Sequence, residues 1–183
     1  MAIQVSGQTW IGSEAADIEP FLNAFPPEEM AYRMSAFRLV RCGCGAERFR
    51  LVRAGETTQA TCAACGHVRY ISRDGDPEDW QEAAEEEELE PFFCDGCQGT
   101  EANAGVGFAG YEGNPQLDGV QWFYLGVRCA RCGLLEFFNE GKVGYGPVAD
   151  AYRRVTGEAL PEGPGADLSA DALPRSQAED DIA

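Results

Sequence analysis

The sequence predicts a small, metal-stabilised, mainly β protein, and three observations carry that expectation. All eight cysteines of the 183-residue chain sit in four short knuckles: Cys42-Gly43-Cys44, Cys62-Ala63-Ala64-Cys65, Cys94-Asp95-Gly96-Cys97 and Cys129-Ala130-Arg131-Cys132. Strand-like apolar runs enter and leave those knuckles, and helical periodicity is confined to short flanking and connecting stretches. Two thiolates one or two residues apart can turn onto one ion, and a second pair from a facing hairpin completes a tetrahedron. The eight sulfurs are therefore ligand enough for two ions.

In residues 1–36, Ile18, Phe21, Leu22 and Phe25 recur at helical spacing after Ser13 or Asp17, and Pro26-Pro27 ends the run, which predicts a short amphipathic helix. The stretch from Glu28 to Ser35 tolerates either a strand or a helix. Residues 37–73 form the first module. Residues 37–40 lead into the first knuckle, residues 47–52 leave it, Gly55 marks a turn, residues 59–61 lead into the second knuckle and residues 68–71 leave. The one-residue spacer of the first knuckle assigns the unusual backbone angles to Gly43 and Gly45. Residues 74–91 read as an acidic connector helix that starts at Asp76-Pro77, is pinned by Trp80 and is stopped by Pro91.

Residues 92–139 repeat the first module at larger scale. Phe92-Phe93 enters the third knuckle, residues 120–128 run into the fourth, and residues 134–138 leave it. Thirty-one residues separate Cys97 from Cys129, and the Gly-rich stretch between them, from Gly105 to Tyr111, reads as an extra hairpin or a long loop. Loops of that size are often functional. The run Trp122-Phe123-Tyr124-Leu125 is apolar on both sides of any strand, so both faces should be covered, and packing within the chain is the expected cover. Residues 140–157 end in a short helix with Pro147 near its start and Gly157 as its stop. Residues 158–183, rich in Pro, Gly and acids, read as a disordered acidic tail.

Seventeen residues lie between Cys44 and Cys62, inside the spacing of a paired-knuckle zinc site. With their flanking strands, residues 37–72 resemble the zinc-ribbon superfamily, which implies a metal-held scaffold and no particular activity. The expected pairing is sequential. Cys42, Cys44, Cys62 and Cys65 would hold one Zn2+, and Cys94, Cys97, Cys129 and Cys132 the other, with a cross-braced arrangement as the alternative. Iron suits the same thiolates. His67, the only histidine, is a strand residue or hydrogen-bond donor, since its module already has four sulfurs.

The net charge of −17 is uneven. Residues 74–90 carry ten acids and no base, and residues 158–183 carry seven acids against Arg175. Arg41, Arg48, Arg50, Arg53 and Arg69 make the first module mildly basic. Neither a secretory leader nor an apolar run long enough for a membrane helix is apparent, so a cytoplasmic location is expected, where thiols stay reduced and favour metal over disulfides. Sites closed by four thiolates leave no position for an activated water, and no nucleophile motif, P-loop or dinucleotide fingerprint occurs, so no enzyme is expected. The expected function is a protein-interaction module, such as an acidic inhibitor or immunity-type protein for a basic partner. Nucleic-acid or transcription-related binding through Arg48, Arg50 and Arg69 is the alternative, and metal or redox sensing a third.

Overall fold

The computed structural model describes residues 3–7, 9–24, 32–72, 77–111, 120–144 and residue 155. Among these, β-structure dominates. The strands are β1 (Gln4–Ser6), β2 (Thr9–Ile11), β3 (Tyr32–Leu39), β4 (Phe49–Ala54), β5 (Thr57–Cys62), β6 (Val68–Ile71), β7 (Glu90–Pro91), β8 (Ala102–Tyr111), β9 (Val120–Cys129) and β10 (Leu134–Lys142). Helix α1 (Ile18–Ala24) follows a 3-10 turn at Ala15–Asp17, and α2 (Pro77–Glu86) links the modules. All pairings are antiparallel, and the central strand order is β1-β2-β10-β9-β8-β4-β5-β6, with β3 beside β8 and β7 beside β4.

Within that order lies a repeat of element order. Each module runs knuckle, strand, strand, knuckle, strand, giving the meanders β4-β5-β6 and β8-β9-β10. They meet at the single bridge Phe49–Ala102, so the order reads β6-β5-β4 against β8-β9-β10. Cys62 pairs with Phe49, and Cys129 with Ala102. The row Cys62, Phe49, Ala102, Cys129 thus crosses four strands, about 14 Å in three inter-strand steps of about 4.8 Å. Equivalent backbone bonds brace each half: Ala63 N–H donates to the Arg48 carbonyl and Ala130 N–H to that of Glu101, both at 2.9 Å.

Among the described residues the two meanders share only that strand bridge, and their side chains form one main core. Phe49, Leu51, Ala60 and Ile71 from one side meet Val106, Phe108, Phe123 and Leu125 from the other. Each fully buried large side chain contributes about 1.5–3 kcal/mol. A buried polar contact closes the far side, where Asn139 Nδ2 of β10 donates to Thr58 Oγ1 of β5 at 2.9 Å and to the Thr57 carbonyl at 3.2 Å. Val155 is also buried in this core.

The opposite face of β8–β10 is covered by α1. Ile18, Phe21 and Leu22 pack on Tyr124, Leu135 and Ala109, with Trp10, Met34 and Phe37 around them. Both faces of the Trp122 to Leu125 run are thus covered from within the chain. Of the two readings of the Gly-rich stretch, a hairpin arm and not a loop is found: it is β8, buried from Ala102 to Ala109 and paired with β9 on one edge and β3 on the other. Its glycines are there for close approach. A Cβ on Gly105 would lie 2.5 Å from the Phe37 ring, and one on Gly126 of β9 2.8 Å from Ile18.

Other expectations are revised locally. The strand entering the first knuckle begins at Tyr32 and pairs with β8 of the second module, not within its own. Helix α2 stops at Glu86, short of Pro91, because Pro91 and Glu90 pair with Val52 and Arg53. Of the two glycines assigned unusual angles, Gly45 has φ +86° and Gly43 has no positive φ. The C-terminal helix, apart from Val155, and the acidic tail lie outside the described residues.

Candidate metal centres

Each cysteine group stands where a strand ends. Cys42 and Cys44 lie between β3 and β4, Cys62 closes β5, and Cys65 lies in the turn to β6. Cys94 and Cys97 lie between β7 and β8, Cys129 closes β9, and Cys132 lies in the turn to β10. The sulfurs of Cys42, Cys44, Cys62 and Cys65 all lie within 4.8 Å of one another, and so do those of Cys94, Cys97, Cys129 and Cys132. The arrangement is the sequential one, not the cross-braced one. The nearest pairs are Cys42–Cys65 at 3.5 Å, Cys44–Cys62 at 3.8 Å, Cys94–Cys132 at 3.4 Å and Cys97–Cys129 at 3.6 Å. A tetrahedron with metal–sulfur bonds of about 2.3 Å has edges of about 3.8 Å, whereas a disulfide needs about 2.05 Å. The donor set fits a thiophilic metal ion.

Local backbone geometry makes the knuckles. In the two-spacer knuckles the N–H four residues on returns to the first cysteine's carbonyl: Gly66 to Cys62, Gln98 to Cys94, Gly133 to Cys129, at 2.8–3.0 Å. In the one-spacer knuckle the loop is a residue shorter, and Gly45 N–H reaches the Cys42 carbonyl at 2.8 Å. Closing these turns puts the residue after each second cysteine at positive φ: Gly45 at +86°, Gly66 at +74°, Gln98 at +57° and Gly133 at +79°. Glycine is the usual occupant of such angles, and Gln98 is the exception.

The same turns aim N–H groups at sulfur. The Cys65 and Ala64 N–H groups hold the Cys62 thiol down at about 6 despite its burial. Burial pushes Cys129 up, but the N–H groups of Cys132 and Arg131 outweigh it and bring that thiol to about 7, the Arg131 contact being 3.4 Å. Other sulfurs go the opposite way. Cys65 receives the His67 N–H, yet its thiol neighbours Cys42, Cys44 and Cys62 drive it up to about 12, and burial raises Cys94 and Cys132. The turn N–H groups thus favour the anion at Cys62 and Cys129, while crowding and burial oppose it at Cys65, Cys94 and Cys132. His67 is exposed and serves through its backbone.

Around the centres are residues without a sequence signal. Gly99 sits against the second centre, where a Cβ would lie 3.3 Å from the sulfurs of both Cys97 and Cys129. Arg128, one residue before Cys129, donates to the Gly12 carbonyl at 2.8 Å, the Ser13 carbonyl at 3.0 Å and Asn103 Oδ1 at 3.2 Å. Asn103 passes the link on to the Glu47 carbonyl of the first module at 2.9 Å. The Glu136 carboxylate accepts the Asp95 N–H at 3.1 Å, and burial pushes it above the ordinary glutamate range, with Asp95 adding to the rise.

No protein-family model, curated protein or solved structure matches the chain. The centres are therefore defined by their donor chemistry and geometry. Among the described residues no helix is long and apolar enough to cross a membrane.

Proposed function

We propose that the chain is a non-enzymatic protein-interaction module whose two centres each hold Zn2+ as a structural staple, working in a reducing compartment such as the cytoplasm. One observation supports the first half: in each centre four cysteine sulfurs lie within 4.8 Å of one another, enough thiolates to fill a tetrahedral ion's positions as structural zinc sites do. Zinc in such sites supplies folding energy. Iron fits the same sulfurs, and metal analysis of protein purified without added metal separates the two. Two equivalents of zinc support the proposal, and iron or substoichiometric metal counts against it.

The partner is proposed to be a basic protein, as an acidic inhibitor or immunity-type protein would bind. The support is the acidic side of the molecule. Glu56, Asp79, Glu82, Glu86 and Glu87 surround a cleft of about 270 Å³ between α2 and the β4–β5 turn. Of the arginines that would favour nucleic acid, Arg41 pairs with Glu47 at 2.9 Å, Arg48 with Glu101 at 3.7 Å and Arg53 with Glu90 at 2.6 Å, while Arg69, bonded to the Arg41 carbonyl at 3.1 Å, and exposed Arg50 keep their charge. Capture from native cells, with the retained species identified, tests this reading. A retained basic protein supports it, and nucleic acid without protein overturns it.

A further inference from the structure

Two of the large apolar side chains exposed on the described surface stand four residues apart, Leu89 at 50% and Phe93 at 52% exposure. Single exposed apolar residues need no explanation, but a contiguous group does. Pro91 between them is also exposed, while Phe92 is buried. Pro91 and Phe93 face outward on either side of the inward Phe92, as in an extended chain, and Leu89 and Glu90, both exposed, precede them. The backbone beneath them is fixed. Val52 and Arg53 of β4 pair with Pro91 and Glu90, Phe92 N–H donates to the Leu51 carbonyl at 2.9 Å, and the Phe92 ring meets Phe138 edge-on with centroids 5.8 Å apart. None of these contacts uses the side chain of Leu89 or Phe93, so among the described residues an apolar ridge stands exposed on a fixed backbone.

The chain on either side of the ridge is acidic, and Arg53 of β4 is the cation that reaches it, through Glu90. No lysine or arginine occurs between Arg73 and Arg128 in the sequence, whereas Glu85-Glu86-Glu87-Glu88 leads into the ridge and Asp95 follows it. Glu90 is neutralised by Arg53, which leaves the ridge itself apolar inside an acidic frame. Such a surface repels phosphate backbones and acidic peptides and attracts apolar groups carried on a basic segment.

The geometry points to Leu89, Pro91 and Phe93 as the apolar anchor of a docking surface for a protein segment in which lysine or arginine flanks large apolar side chains. This rests on the basic-partner reading above and adds where the partner touches. The acids of α2 govern encounter and salt dependence, and the ridge governs how long the complex lasts.

The test uses the full, metal-loaded chain and two labelled synthetic peptides of equal charge, one alternating lysine with leucine and one alternating lysine with serine, with binding read by fluorescence anisotropy. The lysine–leucine peptide is expected to bind the wild type and to lose about tenfold or more in affinity on the Leu89→Ser/Phe93→Ser double variant. The lysine–serine peptide should bind both proteins weakly and equally. Photo-crosslinking of the lysine–leucine peptide to the wild type is expected to label residues 89–93, a readout that does not depend on the variant folding. Equal affinity of that peptide for both proteins, or crosslinks confined elsewhere, overturns the ridge while leaving a basic partner standing. Failure of both peptides to bind the wild type at low salt overturns the basic-partner reading and the ridge with it.

Discussion

Gly66 and Gly133 occupy equivalent places in the two halves, each just after the second cysteine of its knuckle and each at positive φ. Their surroundings differ. A Cβ on Gly66 would meet nothing within 4 Å, whereas one on Gly133 would lie 2.5 Å from the Gly12 carbonyl oxygen and 3.3 Å from Ile11 Cγ2. Gly66→Ala therefore carries the backbone cost alone, about 1–2 kcal/mol for an L-residue in the left-handed region. Gly133→Ala adds about 1–3 kcal/mol of overpacking. The obstructing oxygen cannot easily swing aside, because Gly12 N–H is bonded to the Gly133 carbonyl at 2.9 Å and the Gly12 carbonyl itself to Arg128 at 2.8 Å. The expected destabilisations are about 1–2 kcal/mol for Gly66→Ala and about 2–5 kcal/mol for Gly133→Ala. Urea unfolding followed by circular dichroism at buffered free metal measures both, the buffering being needed because a ligand of the folded state shifts apparent stability. Equal midpoints for the two variants, or a larger loss for Gly66→Ala, would refute the reasoning.

Cys62→Ser and Cys129→Ser should each lower bound metal from two equivalents to one, measured on purified protein, and make unfolding biphasic as one half loses its staple. Burial, reinforced by repulsion from Glu56, raises the Glu140 carboxyl above its ordinary value, and its Oε2 is buried with no hydrogen-bond partner among the described residues. A raised acid destabilises the fold above its folded pKa, and the penalty vanishes as pH falls through that value. Glu140→Gln should therefore stabilise by about 1 kcal/mol at neutral pH, with the gain shrinking on acidification; a gain that grows toward low pH would have the wrong sign. Asn139→Leu should cost about 1–3 kcal/mol by orphaning buried Thr58 Oγ1, the Thr57 carbonyl and the Glu140 N–H, and adding Thr58→Val should recover the Thr58 share alone; thermal melts of the single and double variants show whether it does.

The cysteines were legible because metal ligation imposes residue type and spacing directly on the sequence. Of the left-handed positions only Gly45 is assigned from the sequence; the knuckle turns impose the same angle on Gly66, Gly133 and Gln98, which are not. Helix α1 announced itself through Ile18, Phe21 and Leu22. The glycines of β8 misled, because a glycine needed for a turn and one needed for close approach look alike in sequence, and the demand for Gly105 comes from Phe37, sixty-eight residues earlier. The pairing of β3 with β8 is equally non-local. Strands of three residues, such as β1 and β2, carry too little pattern to register, and Arg128 and Gly99 act through contacts that exist only once the sheet has formed.

The row Cys62, Phe49, Ala102, Cys129 puts both centres at one end of the sheet. With ions bound, the molecule would have a riveted end and an unriveted one, and local opening should cost most beside the rivets. Amide exchange is expected to be slowest in the rows adjoining Cys62 and Cys129 and to quicken along β4 and β5 toward the turn at Gly55. That turn borders the acidic cleft, so a partner seated there would slow exchange where the metals protect least. Metal and partner would then each quiet a different end of the same strands.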